Sequence, residues 1–126
     1  MEWIAEERCE VAGTYLAVSA GKIGEDVLLC VEGGSRPHIG CVVQAVPRPS
    51  LDGSGKMSAT ASVLNLTGHK DEFLCRKLAE QICSRLGVTV VCTGGVHLDE
   101  ISEEQIAQLL EICEQLGKSV AEKLGE

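Results

Sequence analysis

A chain of 126 residues with 11 Lys and Arg against 19 Asp and Glu, a formal net charge of −8, is poorly suited to grip a nucleic-acid backbone outside a local basic pocket. Its length suits one domain spanning residues 1–126, able to bury roughly two thirds of the surface its unfolded form exposes. The only aromatics are Trp3, Tyr15 and Phe73, so the stacking platform of single-strand binders is missing, and no segment approaches the ~20 apolar residues of a membrane span.

The start, MEWIAEERCE, is acidic and lacks the apolar stretch of a secretory leader, which makes the cytoplasm the expected location. From Cys9 the alternate residues Val11, Gly13, Tyr15 and Ala17 are mostly apolar with Arg8, Glu10 and Thr14 between them, predicting a half-buried first strand, with SAGKIGED as its turn. Val27 to Val31 predicts a second strand, GGSRP breaks it, and Ile39 to Val46 predicts a third. PRPSLDGSGK reads as a long loop and Ser58 to Leu66 as a fourth strand, so the first half is expected to be an antiparallel meander. Leu74, Cys75, Leu78, Ala79, Ile82, Cys83 and Leu86 then form one apolar stripe at helical spacing, stopped by Gly87. Val88 to Cys92 predicts a fifth strand. The last helix starts at Ser102, with Gln105 completing a capping box and Ile106, Leu109, Leu110, Cys113, Leu116 and Val120 as its apolar stripe.

The fourth strand, the first helix and the fifth strand form a crossover unit, which makes those two strands parallel and lays the helices on one face of the sheet. The expected fold is α+β, a two-layer sandwich in which an antiparallel meander is followed by α-β-α. Its open face leaves apolar surface of the kind a homodimer hides.

Seven cysteines without a CxxC pair read as reduced thiols at apolar positions. None falls in a glycine-rich turn, so covalent catalysis by cysteine is not expected, while a histidine as general acid or base stays chemically open.

All three histidines sit beside glycine: GGSRPHIG, Gly33 to Gly40; LTGHKDE, Leu66 to Glu72; and TGGVHLDE, Thr93 to Glu100. The strand directions gather Arg36, His38, His69, Lys70, His97 and Asp99 on one edge, with Gly33 and Gly34, beside the start of the first helix. Cationic side chains, exposed amides and a helix start suit an anion such as phosphate; the alternative is solvated turn residues. A metal on the imidazoles and Asp99 is a further option, although no HxH or HxxxH pair supports it.

Together with AVPRPSL, SATASVLNLTGHKDE and TGGVHLDEIS, the turn GGSRPHIG resembles the LpdD-like family, from about Val31 to the last helix. That family is the small D subunit accompanying UbiD-type gallate and phenolic-acid decarboxylases, described as a prenylated-flavin chaperone and similar in fold to proteasome assembly chaperones. The resemblance implies a non-catalytic accessory protein that carries prenylated FMN between a UbiX-type flavin prenyltransferase and a UbiD-type decarboxylase. Under it the expected cofactor contacts are Arg36, His38, Arg48, His69, Lys70 and His97, and the metal option on His38, His69, His97 and Asp99 becomes a divalent ion bridging to the phosphate. Arg48 conflicts with the strand directions, which put it at the far end of the third strand. The competing readings are a protein assembly chaperone with no cofactor, and a small enzyme using the histidines.

Overall fold

The computed structural model describes residues 1–65 and 72–125. In chain order the elements are β1 (Trp3–Val11), β2 (Thr14–Ile23), β3 (Asp26–Gly34), β4 (Cys41–Pro49), β5 (Met57–Asn65), α1 (Glu72–Leu86), β6 (Val90–His97) and α2 (Glu103–Leu124). The strands form one six-stranded sheet in the order β1-β2-β3-β6-β4-β5. With helices on one face, this is the expected α+β sandwich.

The predicted first strand is in fact a hairpin. Val11 pairs with Thr14 across a turn in which Ala12 and Gly13 have φ of 53° and 76°. A two-residue turn of this hand matches the twist of its flanking strands. It also switches parity: Val11 faces inward before the turn, and Leu16, Val18 and Ala20 face inward after it. Tyr15 and Ala17 therefore belong to the outer face, and SAGKI is strand rather than turn.

The meander is the second correction. β1, β2 and β3 follow one another antiparallel, but β6 inserts between β3 and β4, parallel to β3 and antiparallel to β4. β5 and β6 still run the same way, each antiparallel to β4, as the crossover predicts. PRP is also strand: Pro47, Arg48 and Pro49 pair with Ala59, Ser58 and Met57. β6 accompanies β4 only as far as Ala45, so the two prolines lie where β4 has lost its second neighbour and needs fewer N–H donors.

The core fills the space between helices and sheet. Leu16, Val18, Leu29, Val43 and Val90 are closed over by Leu74, Leu78 and Ile82 of α1 and by Leu109 and Val120 of α2. Each such side chain contributes about 1.5–3 kcal/mol by leaving water. Five of the thiols, at Cys41, Cys75, Cys83, Cys92 and Cys113, share this interior, and burial pushes the Cys113 thiol up to about 12. They act as small apolar groups. α2 begins as its sequence predicts, with Ser102 accepting from the Gln105 amide and the Gln105 side chain accepting from the Ser102 amide. Among the described residues no helix is long and apolar enough to cross a membrane.

Candidate functional site

Strand directions bring β3 and β6 to the same edge as chain ends, and β4 as a chain start: Gly34 pairs with His97, and Cys41 with Gly94. Joining β3 to β4, residues 35–40 must pass over the end of β6, crossing two strand spacings of about 4.8 Å. Close backbone approach makes this possible. A Cβ at Gly34, whose φ is +77°, would collide with the His97 carbonyl, which instead accepts from the Ser35 amide at 2.8 Å and the Ser35 hydroxyl at 3.2 Å. At Gly94, φ +137°, a Cβ would collide with the Val31 carbonyl, so the strand ends close up only without side chains.

That crossing sets Arg36 and His38 against His97. Arg36 Nη2 lies 3.0 Å from His97 Nε2, which lies 2.9 Å from Asp99 Oδ1, and the His38 and His97 rings meet edge to face at 6.4 Å between centroids. One imidazole nitrogen either donates or accepts. With its proton on Nε2, His97 donates to Asp99; with the proton on Nδ1, Nε2 accepts from Arg36. The cluster thus has two hydrogen-bonding states. His38 is more constrained, because Nδ1 lies 3.1 Å from the Arg36 carbonyl, which can only accept, and Nδ1 therefore carries a proton. The hydrogen bond from His97 and then its charge, with Arg36 behind, hold the Asp99 carboxyl below the usual carboxylate range.

Arg36 and Asp99 side chains are 73% and 80% exposed at 3.9 Å, so their pairing adds little to stability and an arriving anion can replace it. The guanidinium and two imidazoles then offer charge-assisted donors to a phosphate. A metal fits the described residues poorly. Among them no group of three or more His, Cys, Asp or Glu side chains is arranged to hold one.

His69 and Lys70 lie outside the described residues. β5, which leads to them, ends at Asn65 paired with Cys41, at the same edge. Arg48 is not part of this rim. It lies at the other end of β4, where its Nε donates to Thr60 Oγ1 at 2.7 Å and its Nη1 to the Pro49 carbonyl at 3.1 Å.

Behind the rim, residues 37–39 stand against the open face and turn it into a groove of about 520 Å³. Across its floor runs one row in register, Glu6, Ser19, Cys30 and Thr93, while Trp3 and His38 border it. No motif in the sequence singles out Trp3, Cys30 or Glu32 as site residues. Strand alternation carries the signal, since Cys30 and Glu32 must face away from buried Leu29 and Val31.

Residues 10–125 match the family model described as the prenylated flavin chaperone LpdD-like domain. The chain is also 29% identical over 119 residues to Protein LpdD of Lactiplantibacillus plantarum, covering 88% of this chain and 78% of that protein. Its fold is similar to a chain in the crystal structure of a novel chaperone complex for yeast 20S proteasome assembly, with a TM-score of 0.53, 18% identity, and 93% and 95% of the two chains covered. With its match extending over residues 10–125, the chain belongs to the LpdD-like family of prenylated flavin chaperones.

Proposed function

We propose that this protein is a non-catalytic accessory chaperone that binds prenylated FMN through its phosphate and serves a UbiD-type decarboxylase of phenolic acids, receiving the cofactor from a UbiX-type prenyltransferase. The observation that carries this reading is the convergence of Arg36, His38 and His97 on one exposed edge of a chain whose net charge is −8. A guanidinium and two imidazoles gathered in an acidic chain give an anion that displaces Asp99 a landing place. Membership of the LpdD-like family supports the carrier role and supplies the cofactor class. When bound, the cofactor brings the decarboxylase's chemistry; the chain holds its phosphate by Arg36 and the two imidazoles.

The rim suits carriage better than storage. Arg36 and His97 already face Asp99 in the unliganded cluster, at 3.9 and 2.9 Å, so binding exchanges a carboxylate for a phosphate and release takes the same route. The test is co-expression with a UbiX-type prenyltransferase, then purification, absorption spectroscopy and mass measurement. A prenylated flavin should travel with the parent chain and be lost from Arg36→Ala. A parent chain that emerges colourless and without added mass would refute the reading.

The second reading is an assembly chaperone that contacts proteins alone. It is favoured by the apolar patch of Val42, Val46 and Leu64 on the open face. In that case Arg36→Ala would leave partner binding intact, and substitutions at Leu64 would not.

A further inference from the structure

The open face has two unlike halves, and the half behind the rim has a composition that selects one kind of ligand body. Its groove of about 520 Å³ falls within the size of small-molecule sites, roughly 300–1,000 Å³. The floor is made of short side chains, Ser19, Cys30 and Thr93, on neighbouring strands in register, so it is flat and uninterrupted. Thr93 donates its hydroxyl proton to the Cys41 carbonyl at 2.9 Å, which leaves that proton committed within the sheet. Trp3 borders the floor with an indole 44% exposed, the only tryptophan in the chain and the one large aromatic face available there.

Charge narrows the choice further. Glu6 and Glu32 line the groove, so it repels anions, whereas the adjoining rim attracts them. His38 lies in both. A molecule that satisfies this pair of surfaces has an anionic end and a flat, uncharged body bearing N–H groups that carboxylates can accept from. We infer that the groove is the seat of the flavin ring system, with Cys30 and Ser19 beneath the ring and Trp3 as the aromatic side chain that packs against it. This assignment rests on the reading that the rim holds the phosphate of the same molecule.

Two variants test the groove without touching the rim. Cys30→Phe fills the floor with a residue that strands accept, and Trp3→Ala removes the aromatic wall. Each should weaken prenylated FMN binding at least tenfold in equilibrium titrations, with thermal melts showing that the fold is kept. In a Cys9→Ser background, mapped maleimide labelling adds a direct readout: prenylated FMN should slow modification of Cys30, and inorganic phosphate, which fits the rim alone, should not. If Arg36→Ala weakens binding while both groove variants bind like the parent and Cys30 is not protected, the groove assignment falls and the phosphate reading stands. If the parent binds no prenylated FMN at all, the phosphate reading falls and takes the groove with it.

Discussion

At the scale of single residues, Arg36 is where chemistry and structural indifference part. Its guanidinium, itself exposed, touches the half-buried His97 at Nε2 and approaches the exposed Asp99, and its loss removes no fully buried contact. Arg36→Ala should therefore leave the melting temperature within about 2 °C of the parent, as surface substitutions usually do. A guanidinium–phosphate pair contributes roughly 1.5–3 kcal/mol, or about 10- to 150-fold in affinity for prenylated FMN. Arg36→Lys keeps the charge but loses the two-pronged geometry, so it should recover part of that loss. Titrations of the three proteins check the order parent, lysine, alanine. Equal affinities would remove Arg36 from the site, and a lower melting temperature in Arg36→Ala would make it a structural residue.

At the scale of elements, one carboxylate adds a polar tie to the apolar packing of α2 on edge strand β1. Glu7 accepts from Ser119 Oγ at 2.8 Å and pairs with Lys123, and the Lys123 hydrogen bond, followed by that from Ser119, lowers its pKa. A depressed folded value means the contribution is complete above the unfolded pKa, about 4.3, and disappears as the pH falls through the lower folded value. Lys123 is nearly half exposed, so solvent screening limits the effect to about 0.5–1 kcal/mol, or roughly 2–5 °C in melting temperature. Glu7→Gln should show that deficit at pH 7, and the gap to the parent should close in acid; a deficit unchanged by pH would mean that packing rather than charge is responsible. The elements also show where sequence patterns reach their limit. α1 and α2 were legible because an apolar stripe, Gly87 and the Ser102–Gln105 box are local signals. The β1–β2 hairpin was not, because Ala12–Gly13 turns without the usual Asn or Asp, and the alternation runs on across it with its parity reversed. The place of β6 between β3 and β4 depends on contacts between residues far apart in sequence, which no local pattern records. The convergence of Arg36, His38, His97 and Asp99 was nevertheless legible, because it needs only the directions of β3, β4 and β6, and the inserted strand left those unchanged. The groove depends on which strands are neighbours, and so it was not.

At the scale of the whole molecule, the sheet's open face must serve more than one ligand. Across β4 and β5, Val42 pairs with Leu64 and Val46 with Thr60, and Leu64 and Val46 are 74% and 46% exposed. Water contact on that scale is costly for aliphatic side chains on a flat strand pair, and a second copy of the chain, meeting the patch about a two-fold axis, covers it with no further sequence requirement. The register sets this patch beside the groove: Val42 pairs with Leu64 on one side and with Thr93 of the groove floor on the other, whereas Ser19 and Cys30 lie further off on β2 and β3. A dimer built on β4 and β5 would therefore adjoin the β6 side of each groove, away from Trp3, Ser19 and Cys30 on β1, β2 and β3. Light scattering at micromolar concentration should give twice the chain mass for the parent, and Leu64→Lys should reduce it to one chain by replacing the most exposed aliphatic side chain of the patch with a charge. A parent that stays at the mass of one chain would rule out the dimer. If Leu64→Lys separates the copies, prenylated FMN binding should persist in the single chain, because Arg36, His38, Cys30 and Trp3 all come from one copy; its loss would mean that the partner completes the site across the two-fold.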